Sequence, residues 1–300
     1  MTSLRKLDFD HLIGKEVGTV TILKELARGG DAVVFIGFQR TLKRQIALKV
    51  LPKLLLTPET AERFQQEAET VAILSHPNIV QIYEVGETPD FLFFAMQLVQ
   101  GRSLAEYLNA ARRHVLPSKR TLPIKATTDI LIKVLDAIDY AHSQKLVHRD
   151  IKPGNILVET HSRRPIVVDF GIAKLSHDPE NKEGIIQGTP VYMPPEQILN
   201  QAIDARSDIY ATGVMMFEML VSNLPFPAWS SARELLGMKL EMKDDLFQRR
   251  PSEINPMVHP ELEKIVLKAV SFDPEKRYAT CREFLNSLVT YRERHIKTDR

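Results

Sequence analysis

The chain has 300 residues, of which 44% are hydrophobic and 26% are charged. This composition is typical of a globular protein with a large core, and the length allows one large domain or two of ordinary size. Its 40 basic and 38 acidic residues leave a formal net charge of +2. That balance lacks the basic excess of a nucleic-acid-binding or membrane-surface protein, so we expect no nucleic-acid partner.

The cysteine content and the apolar segments indicate a compartment. The chain contains 1 cysteine, Cys281, which cannot form a disulfide within the chain and favours a reducing environment. The first residues lack the apolar stretch of a secretory signal. No apolar run approaches the roughly 18 residues needed to cross a bilayer. The sequence therefore predicts a cytoplasmic protein with no membrane segment within these residues.

The N-terminal third has the pattern of strands with one helix. Short apolar runs that end at Gly or Pro predict strands, whereas apolar residues at helical spacing among charged residues predict a helix. A glycine pair, Gly29 and Gly30, separates the first two runs as a tight turn would. The predicted strands cover residues 19–26, 32–38, 45–51, 79–85 and 91–98, and the predicted helix covers residues 58–74.

After Gly101 helical patterns dominate. The predicted helices cover residues 103–111, 126–142, 207–221, 260–270 and 281–291, with one strand-rich region at 146–168. The change of pattern predicts a boundary between a small sheet-rich lobe and a larger helical lobe, and ligand sites favour such clefts between domains. The predicted layout is an N-terminal extension, two lobes and a charged tail, over residues 1–11, 12–98, 99–291 and 292–300.

The strongest chemical signal is the run HRDIKPGNILV at residues 148–158, followed by VVDFG at residues 167–171. It places Asp150, Lys152 and Asn155 on one predicted loop and Asp169 at the end of a neighbouring apolar strand. Phosphoryl transfer needs oxygen ligands for a metal ion, a carboxylate near the attacking hydroxyl, and a cation for the phosphate oxygens. A lone loop aspartate is ordinarily a turn or cap residue, but this ordered combination favours a catalytic site.

These motifs resemble those of the eukaryotic-like, or Hanks-type, serine/threonine protein kinases. The sequence KPGN at residues 152–155 resembles that of their bacterial branch. The resemblance extends over residues 12–291. It implies an α+β, two-lobed kinase fold, in which a small antiparallel β-sheet lobe with one key helix joins a larger, mainly helical lobe. It also implies ATP as the phosphate donor, Mg²⁺ as the metal with Mn²⁺ as an alternative, a role in signal transduction, and proteins that carry Ser or Thr as substrates.

The resemblance also assigns roles within the catalytic loop. Asp150 would be the catalytic base that orients the substrate hydroxyl. Asn155 and Asp169 would hold the magnesium ions, and Lys152 would steady the transferred phosphate. A lysine two residues after the catalytic aspartate is characteristic of the serine/threonine members of the family.

A second group of motifs matches the nucleotide side of the family. In IALK, at residues 46–49, Lys49 would bind the α- and β-phosphates and pair with Glu67 of the run RFQQEAE. An unpaired charge on such an apolar strand is costly, which favours this pair. The competing interpretation is an ordinary surface lysine and a solvated glutamate. FFAMQLVQG resembles the hinge, with Met96 as gatekeeper. The other predicted nucleotide contacts are the backbone of Gln97 and Val99, together with Ser103 near the ribose, Leu26, Ala27, Gly29, Gly30, Val34, Ala47 and Leu157.

The segment GTPVYMPPE at residues 188–196 resembles the end of a kinase activation segment, which docks an extended peptide. By this resemblance Thr189 contacts the catalytic loop and has a structural role. Glu196 would pair with Arg277, and Asp208 would brace the catalytic loop from below. These last three residues are expected to support the fold.

Two alternatives stay open. One is a pseudokinase, a kinase-shaped module that binds nucleotide or scaffolds partners without catalysis. Its support is the segment at residues 27–32, which departs from the glycine-rich loop of the family. Against it is the complete set of metal and phosphate residues described above. The other is a small-molecule kinase of the same fold, which the peptide-docking segment disfavours.

The glycine loop departs from the family pattern G-x-G-x-x-G, because Ala27 and Ala32 occupy the first and third glycine positions. Each added methyl group restricts the backbone that must close over the phosphates. We expect the double substitution Ala27→Gly and Ala32→Gly to raise ATP affinity by about two- to fivefold, measured by equilibrium titration. An affinity that rises no more than marginally would contradict this interpretation.

Overall fold

The computed structural model describes residues 9–29, 32–57, 61, 69–170 and 190–296. These residues form two compact units: the first extends to Gln100, and the second comprises Gly101–Phe170 together with residues 190–296. Among the described residues, no helix is both long enough and apolar enough to cross a membrane.

The first unit is built on a six-stranded antiparallel sheet with the strand order β1-β2-β3-β4-β6-β5. The predicted strands are confirmed, apart from shifts of a few residues at their ends. Most of the predicted helix at 58–74 lies outside the described residues. The strands are β1 Glu16–Val17, β2 Val20–Arg28, β3 Val33–Gln39, β4 Arg44–Pro52, β5 Ile82–Glu87 and β6 Phe91–Met96.

One face of this sheet carries the hydrophobic core of the unit. Successive residues of a strand point to opposite faces, and in β3 the residues alternate between buried and half-buried positions. Val33 and Phe35 belong to the core, and their cross-strand partners Val50 and Leu48 belong to it as well. The residues between them lie on the opposite face of the sheet, outside this cluster.

The second unit is mainly helical and also contains a small three-stranded antiparallel sheet. This α+β arrangement agrees with the predicted fold class. The sheet consists of β7 Gly101–Ser103, β8 Ile156–Glu159 and β9 Pro165–Val167. The helices are α1 Leu104–Arg112, α2 Ile124–Ser143, α3 Pro195–Ile198, α4 Ala205–Val221, α5 Ala232–Met242, α6 Pro251–Ile254, α7 Pro260–Ala269 and α8 Cys281–His295.

Several of these helices begin at residues whose side chains satisfy the backbone N–H groups of the first turn. Ser103 caps α1 and forms a reciprocal capping box with Glu106. Asp204 caps α4, and Thr280 caps α8. The helix α5, which the sequence analysis did not predict, begins in the same way, with Ser231 as its cap.

Helix α4 is the central element of the second unit, because every residue from Ser207 to Val221 is buried. A helix that is apolar on all sides belongs to a core. A Cβ atom at Gly213 would lie 2.8 Å from Cβ of Ala269 and 2.9 Å from Cγ1 of Val270, so only glycine permits this close approach to the end of α7.

A buried ion pair joins α3 to the chain before α8. Arg277 Nη1 and Nη2 donate hydrogen bonds of 2.7 and 2.9 Å to the two carboxylate oxygens of Glu196, which confirms the predicted pair. The side chain of Arg277 is 0% exposed and that of Glu196 is 5% exposed. Burial alone would raise the pKa of Glu196, but the hydrogen bonds and charge of Arg277 outweigh it and lower that pKa.

We expect Arg277→Met to lower the free energy of unfolding by about 3–5 kcal/mol, because it leaves a charged carboxylate buried without its partner. Urea denaturation measures this loss. The control Arg282→Met removes the exposed pairs of Arg282 with Asp136 and Asp139, and there we expect a change of about 1 kcal/mol or less.

The pH dependence provides a second check of this pair. In the native protein the lowered pKa of Glu196 stabilises the fold at pH values above the pKa that this carboxyl has in the unfolded chain. That stabilisation is lost as the pH falls through the lowered pKa of the folded state. In Arg277→Met the carboxyl is buried without its partner, so acid instead favours its folded, neutral form. The difference between the two proteins should shrink as the pH falls towards 4. A difference that is constant with pH would contradict the role of the ion pair.

Candidate active site

The catalytic loop lies in the second unit, between α2 and β8, and it brings together three of the predicted catalytic residues. The Asp150 carboxylate oxygen Oδ2 lies 2.9 Å from Nζ of Lys152 and accepts a hydrogen bond of 3.0 Å from Nδ2 of Asn155. Both charged side chains are mostly buried, with 15% of Asp150 and 25% of Lys152 exposed. The carboxylate is thus held in one orientation by a cation and an amide.

Asn155 lies in a short 3₁₀ helix, Pro153–Asn155, and its side chain has a defined orientation. Nδ2 donates to the backbone oxygen of Asp150 at 2.8 Å as well as to its carboxylate, so both amide hydrogens are used. The amide oxygen Oδ1 is then the atom that Asn155 can offer to a cation. An amide oxygen and a carboxylate are ligands that suit Mg²⁺, so Asn155 and Asp169 fit the predicted metal-binding pair.

Asp169 lies two residues after β9, the strand that pairs with β8. In this sheet Ile156 is opposite Val167, and the N–H of Val168 donates to the backbone oxygen of Asn155 at 2.9 Å. Asp169 has a φ of 56°, in the left-handed region that non-glycine residues rarely adopt. Such backbone conformations concentrate at functional sites, where the surrounding structure holds them in place.

Asp208 on α4 supports the catalytic loop from below, as predicted. Its buried carboxylate accepts hydrogen bonds from the backbone N–H groups of His148 and Arg149, at 2.8 and 2.9 Å, and its Oδ2 lies 2.8 Å from Nε2 of His142. Burial would raise the pKa of Asp208, but the hydrogen bond and charge of His142 and the groups of His148 lower it. Arg149 has a φ of 63°, so this carboxylate stabilises a second left-handed residue.

His148 is a buried residue of the site that was not among the predicted site residues. Its Nδ1 lies 3.2 Å from the backbone N–H of Asp150 and its Nε2 lies 3.2 Å from the backbone oxygen of Val168. These partners require Nδ1 to accept and Nε2 to donate, which is the neutral imidazole. Burial lowers the pKa of His148 despite the nearby carboxylates, and its ring packs 4.5 Å from that of Phe170. The position of His148 at the start of the HRD motif is the sequence feature that could have identified it as a site residue.

The register of the first unit places five predicted nucleotide residues on the sheet face opposite the core cluster. Lys49 is opposite Val34 in β3, and Ala47 is opposite Met96 in β6. Val34 in turn is opposite Ala27 in β2. Directly opposed residues share a face, and so do Ala47 and Lys49, which lie two residues apart in β4. These five side chains therefore lie on one face, across four strands.

Other predicted nucleotide residues have defined backbone positions. Leu26 lies at an irregularity of β2, between Glu25 and Ala27, and the N–H of Gly29 donates to the backbone oxygen of Ala32 at 2.9 Å. The N–H of Gln97 donates to the backbone oxygen of Gln81 at 2.8 Å. Gln97 therefore has its carbonyl oxygen, not its N–H, to offer to a nucleotide.

Two predicted nucleotide residues belong to the second unit. Ser103 in β7 is directly opposite Leu157 in β8. The hydroxyl of Ser103 accepts from the N–H of Glu106 at 3.2 Å and donates to its carboxylate at 2.9 Å, so it serves as the helix cap described above. Val99 has no regular secondary structure. Gly30, Glu67 and Thr189 lie outside the described residues, so the contacts predicted for them stay predictions.

The comparisons with known proteins agree with this geometry. The family model described as "Protein kinase domain" matches residues 20–289. The chain is 35% identical over 294 residues to the serine/threonine-protein kinase Pkn1 of Myxococcus xanthus, covering 96% of this chain and 40% of the relative. It is 32% identical over 295 residues to the tyrosine-protein kinase MasK of the same species, covering 93% of this chain and 44% of the relative.

The chain thus spans less than half the length of these two relatives. Among solved structures, the kinase domain of Mycobacterium tuberculosis PknI matches with a TM-score of 0.73 at 25% identity, covering 92% of this chain and 97% of that one. The family model and the bacterial relatives lead to one conclusion: the chain belongs to the protein kinase family, within its bacterial Hanks-type branch.

Proposed function

We propose that this domain transfers the γ-phosphoryl group of ATP to serine and threonine hydroxyls of other proteins. The observation that carries the proposal is the Asp150 carboxylate, which Lys152 and Asn155 hold at 2.9 and 3.0 Å. A general base must be positioned within hydrogen-bond reach of the proton that it accepts, and two contacts on one oxygen supply that positioning. The carboxylate, held in this way, can accept the hydrogen bond of an incoming hydroxyl.

Lys152 supplies the positive charge of this loop. In the resting geometry it pairs with Asp150, and in the reaction its ammonium would face the negative charge that spreads over the transferred phosphoryl oxygens. Its position two residues after Asp150 also favours Ser and Thr over Tyr as acceptors. The similarity to MasK, which bears the name of a tyrosine kinase, makes the acceptor amino acid a necessary measurement.

The family uses ATP with a divalent cation, and we propose Mg²⁺ for this chain, with Mn²⁺ as the alternative. Asn155 and Asp169 are the proposed ligands, because each offers a hard oxygen from a backbone that β8 and β9 hold in register. When bound, the ion would offset the charge of the phosphate oxygens and orient them.

In the first unit, the proposed nucleotide surface is the sheet face opposite the core cluster described above. Ala27, Val34, Ala47 and Met96 supply its apolar part, and Lys49 supplies a cation for the phosphates. Pairing of Lys49 with Glu67 belongs to the same proposal. The proposed layout of the chain is an N-terminal lobe at 12–98 and a C-terminal lobe at 99–291, with proteins as the substrates and the cytoplasm as the location.

The pseudokinase alternative rests on Ala27 and Ala32 in the glycine loop. A module without catalysis has no physical need for a carboxylate that is held by both a lysine and an amide, as Asp150 is. The two functions separate in one assay, because a pseudokinase binds ATP without transferring its phosphate.

The test is transfer of radiolabelled γ-phosphate from ATP with Mg²⁺, both to the chain itself and to a serine-rich basic protein. We expect label on Ser or Thr after acid hydrolysis of the products. Asp150→Asn should lower the rate by about a thousandfold while ATP binding persists, because it removes the base and keeps the shape. The control Asp129→Asn removes an exposed carboxylate that pairs with Arg292, and its rate should stay near that of the wild type.

Three results would count against the proposal. Near-full activity in Asp150→Asn would refute the role of that residue. ATP binding without any transfer by the wild type would favour the pseudokinase. Label on tyrosine alone would refute the proposed acceptor.

A further inference from the structure

Helix α5 contributes a lysine that is almost completely buried. Lys239 is 1% exposed, and it ranks among the largest fully buried side chains of the described residues. Its Nζ donates hydrogen bonds of 2.6 Å to the backbone oxygen of Val191 and 2.8 Å to that of Met193. The amine also lies 5.4 Å from the centre of the Tyr210 ring on α4, within the range of a cation–π contact.

This amine has unusual partners for a buried lysine. Within the described part of the chain, no carboxylate lies at ion-pair distance from Lys239, and its hydrogen-bond acceptors are the two carbonyl oxygens. Burial lowers the pKa of Lys239 to about 7. Even a neutral amine has two N–H groups, so either protonation state can donate to both carbonyls.

Stability alone gives a poor account of this arrangement. Removing an amine from water is costly, whereas a methionine of similar length would fill the same space without that cost. The two bonds instead fix the backbone at two positions of one segment. The function of that segment is therefore the better explanation of the buried amine.

Residues 191–193 belong to the run that, by family resemblance, docks the peptide next to the acceptor hydroxyl. A second anchor holds the same segment from helix α4, where the hydroxyl of Tyr192 donates to Oε2 of Glu218 at 2.5 Å. Glu218 in turn pairs with Arg112 of α1. The side chain of Tyr192 is thus fixed by one helix, and the flanking carbonyls are fixed by Lys239 from another.

We propose that Lys239 is a positioning residue for the protein substrate, which holds the backbone of residues 191–193 in the conformation that docks the acceptor peptide. The inference rests on the proposed kinase function and concerns the peptide side of that site. Lys239 touches neither nucleotide nor metal residues among its described contacts, so its effect is confined to recognition of the peptide.

A quantitative expectation follows from the loss of these bonds. Without them residues 191–193 populate other conformations. The apparent affinity for the peptide then falls in proportion to the fraction of molecules that keep the binding conformation. Loss of two buried hydrogen bonds corresponds to a change on the order of tenfold. The Michaelis constant for ATP and the turnover number at saturating peptide depend on other residues and should change by less than about twofold.

The experiment compares wild type, Lys239→Met and Leu235→Ala on the full chain, with one serine peptide as substrate. Leu235 is a buried residue of the same helix without a polar contact to residues 191–193, so its truncation loosens α5 but keeps both bonds. We expect Lys239→Met to raise KM for the peptide about tenfold, and Leu235→Ala to leave it near the wild-type value. Thermal denaturation identifies the folded fraction of each variant. Lys239→Leu provides a second apolar replacement if the methionine variant does not fold.

Unchanged peptide KM in the folded lysine variants would overturn the proposal, as would an equal rise in Leu235→Ala. An equal loss of ATP affinity would also overturn it, because the effect would then be general. Absence of phosphate transfer by the wild type would instead overturn the proposed function and, with it, this inference. Transfer by the wild type with an unaffected Lys239→Met would leave the kinase function intact and remove only the role of Lys239.

Discussion

The geometry of the catalytic loop depends on one buried carboxylate, that of Asp208. The backbone N–H groups of His148 and Arg149 belong to neither a helix nor a sheet, and Arg149 has a left-handed φ. Buried N–H groups without partners are costly, and this conformation is itself unfavourable. Asp208 satisfies both groups at once, so the loop that presents Asp150 is attached directly to helix α4.

Helix α4 links the other polar contacts of the second unit as well. Asp208 holds the catalytic loop, and Tyr210 lies beneath the amine of Lys239. Glu218 holds Tyr192, the central residue of 191–193. Ser207 donates to Glu196, the acid of the buried ion pair with Arg277. Because α4 is buried on all sides, it can serve as a rigid base that positions both the loop with Asp150 and residues 191–193.

The first unit uses the period of the β-strand to separate stability from binding. Val33 and Phe35 lie in the core, whereas their neighbour Val34 lies on the other face with its cross-strand partner Lys49. A single strand can therefore contribute to the core and to the proposed nucleotide surface. The same alternation leaves a lysine on a strand without placing its charge in the core.

The sequence by itself determined the longer strands, most of the helices and the cluster Asp150–Lys152–Asn155, because these depend on residues that are close along the chain. The family resemblance predicted two long-range contacts, the ion pair of Glu196 with Arg277 and the contact of Asp208 with the catalytic loop. Only the tertiary structure revealed helix α5 and the burial of Lys239, whose acceptor Met193 is 46 residues away. Local pattern assigns a lone lysine to the solvent. Its burial depends on which distant segments pack around it, and a local pattern does not contain that information.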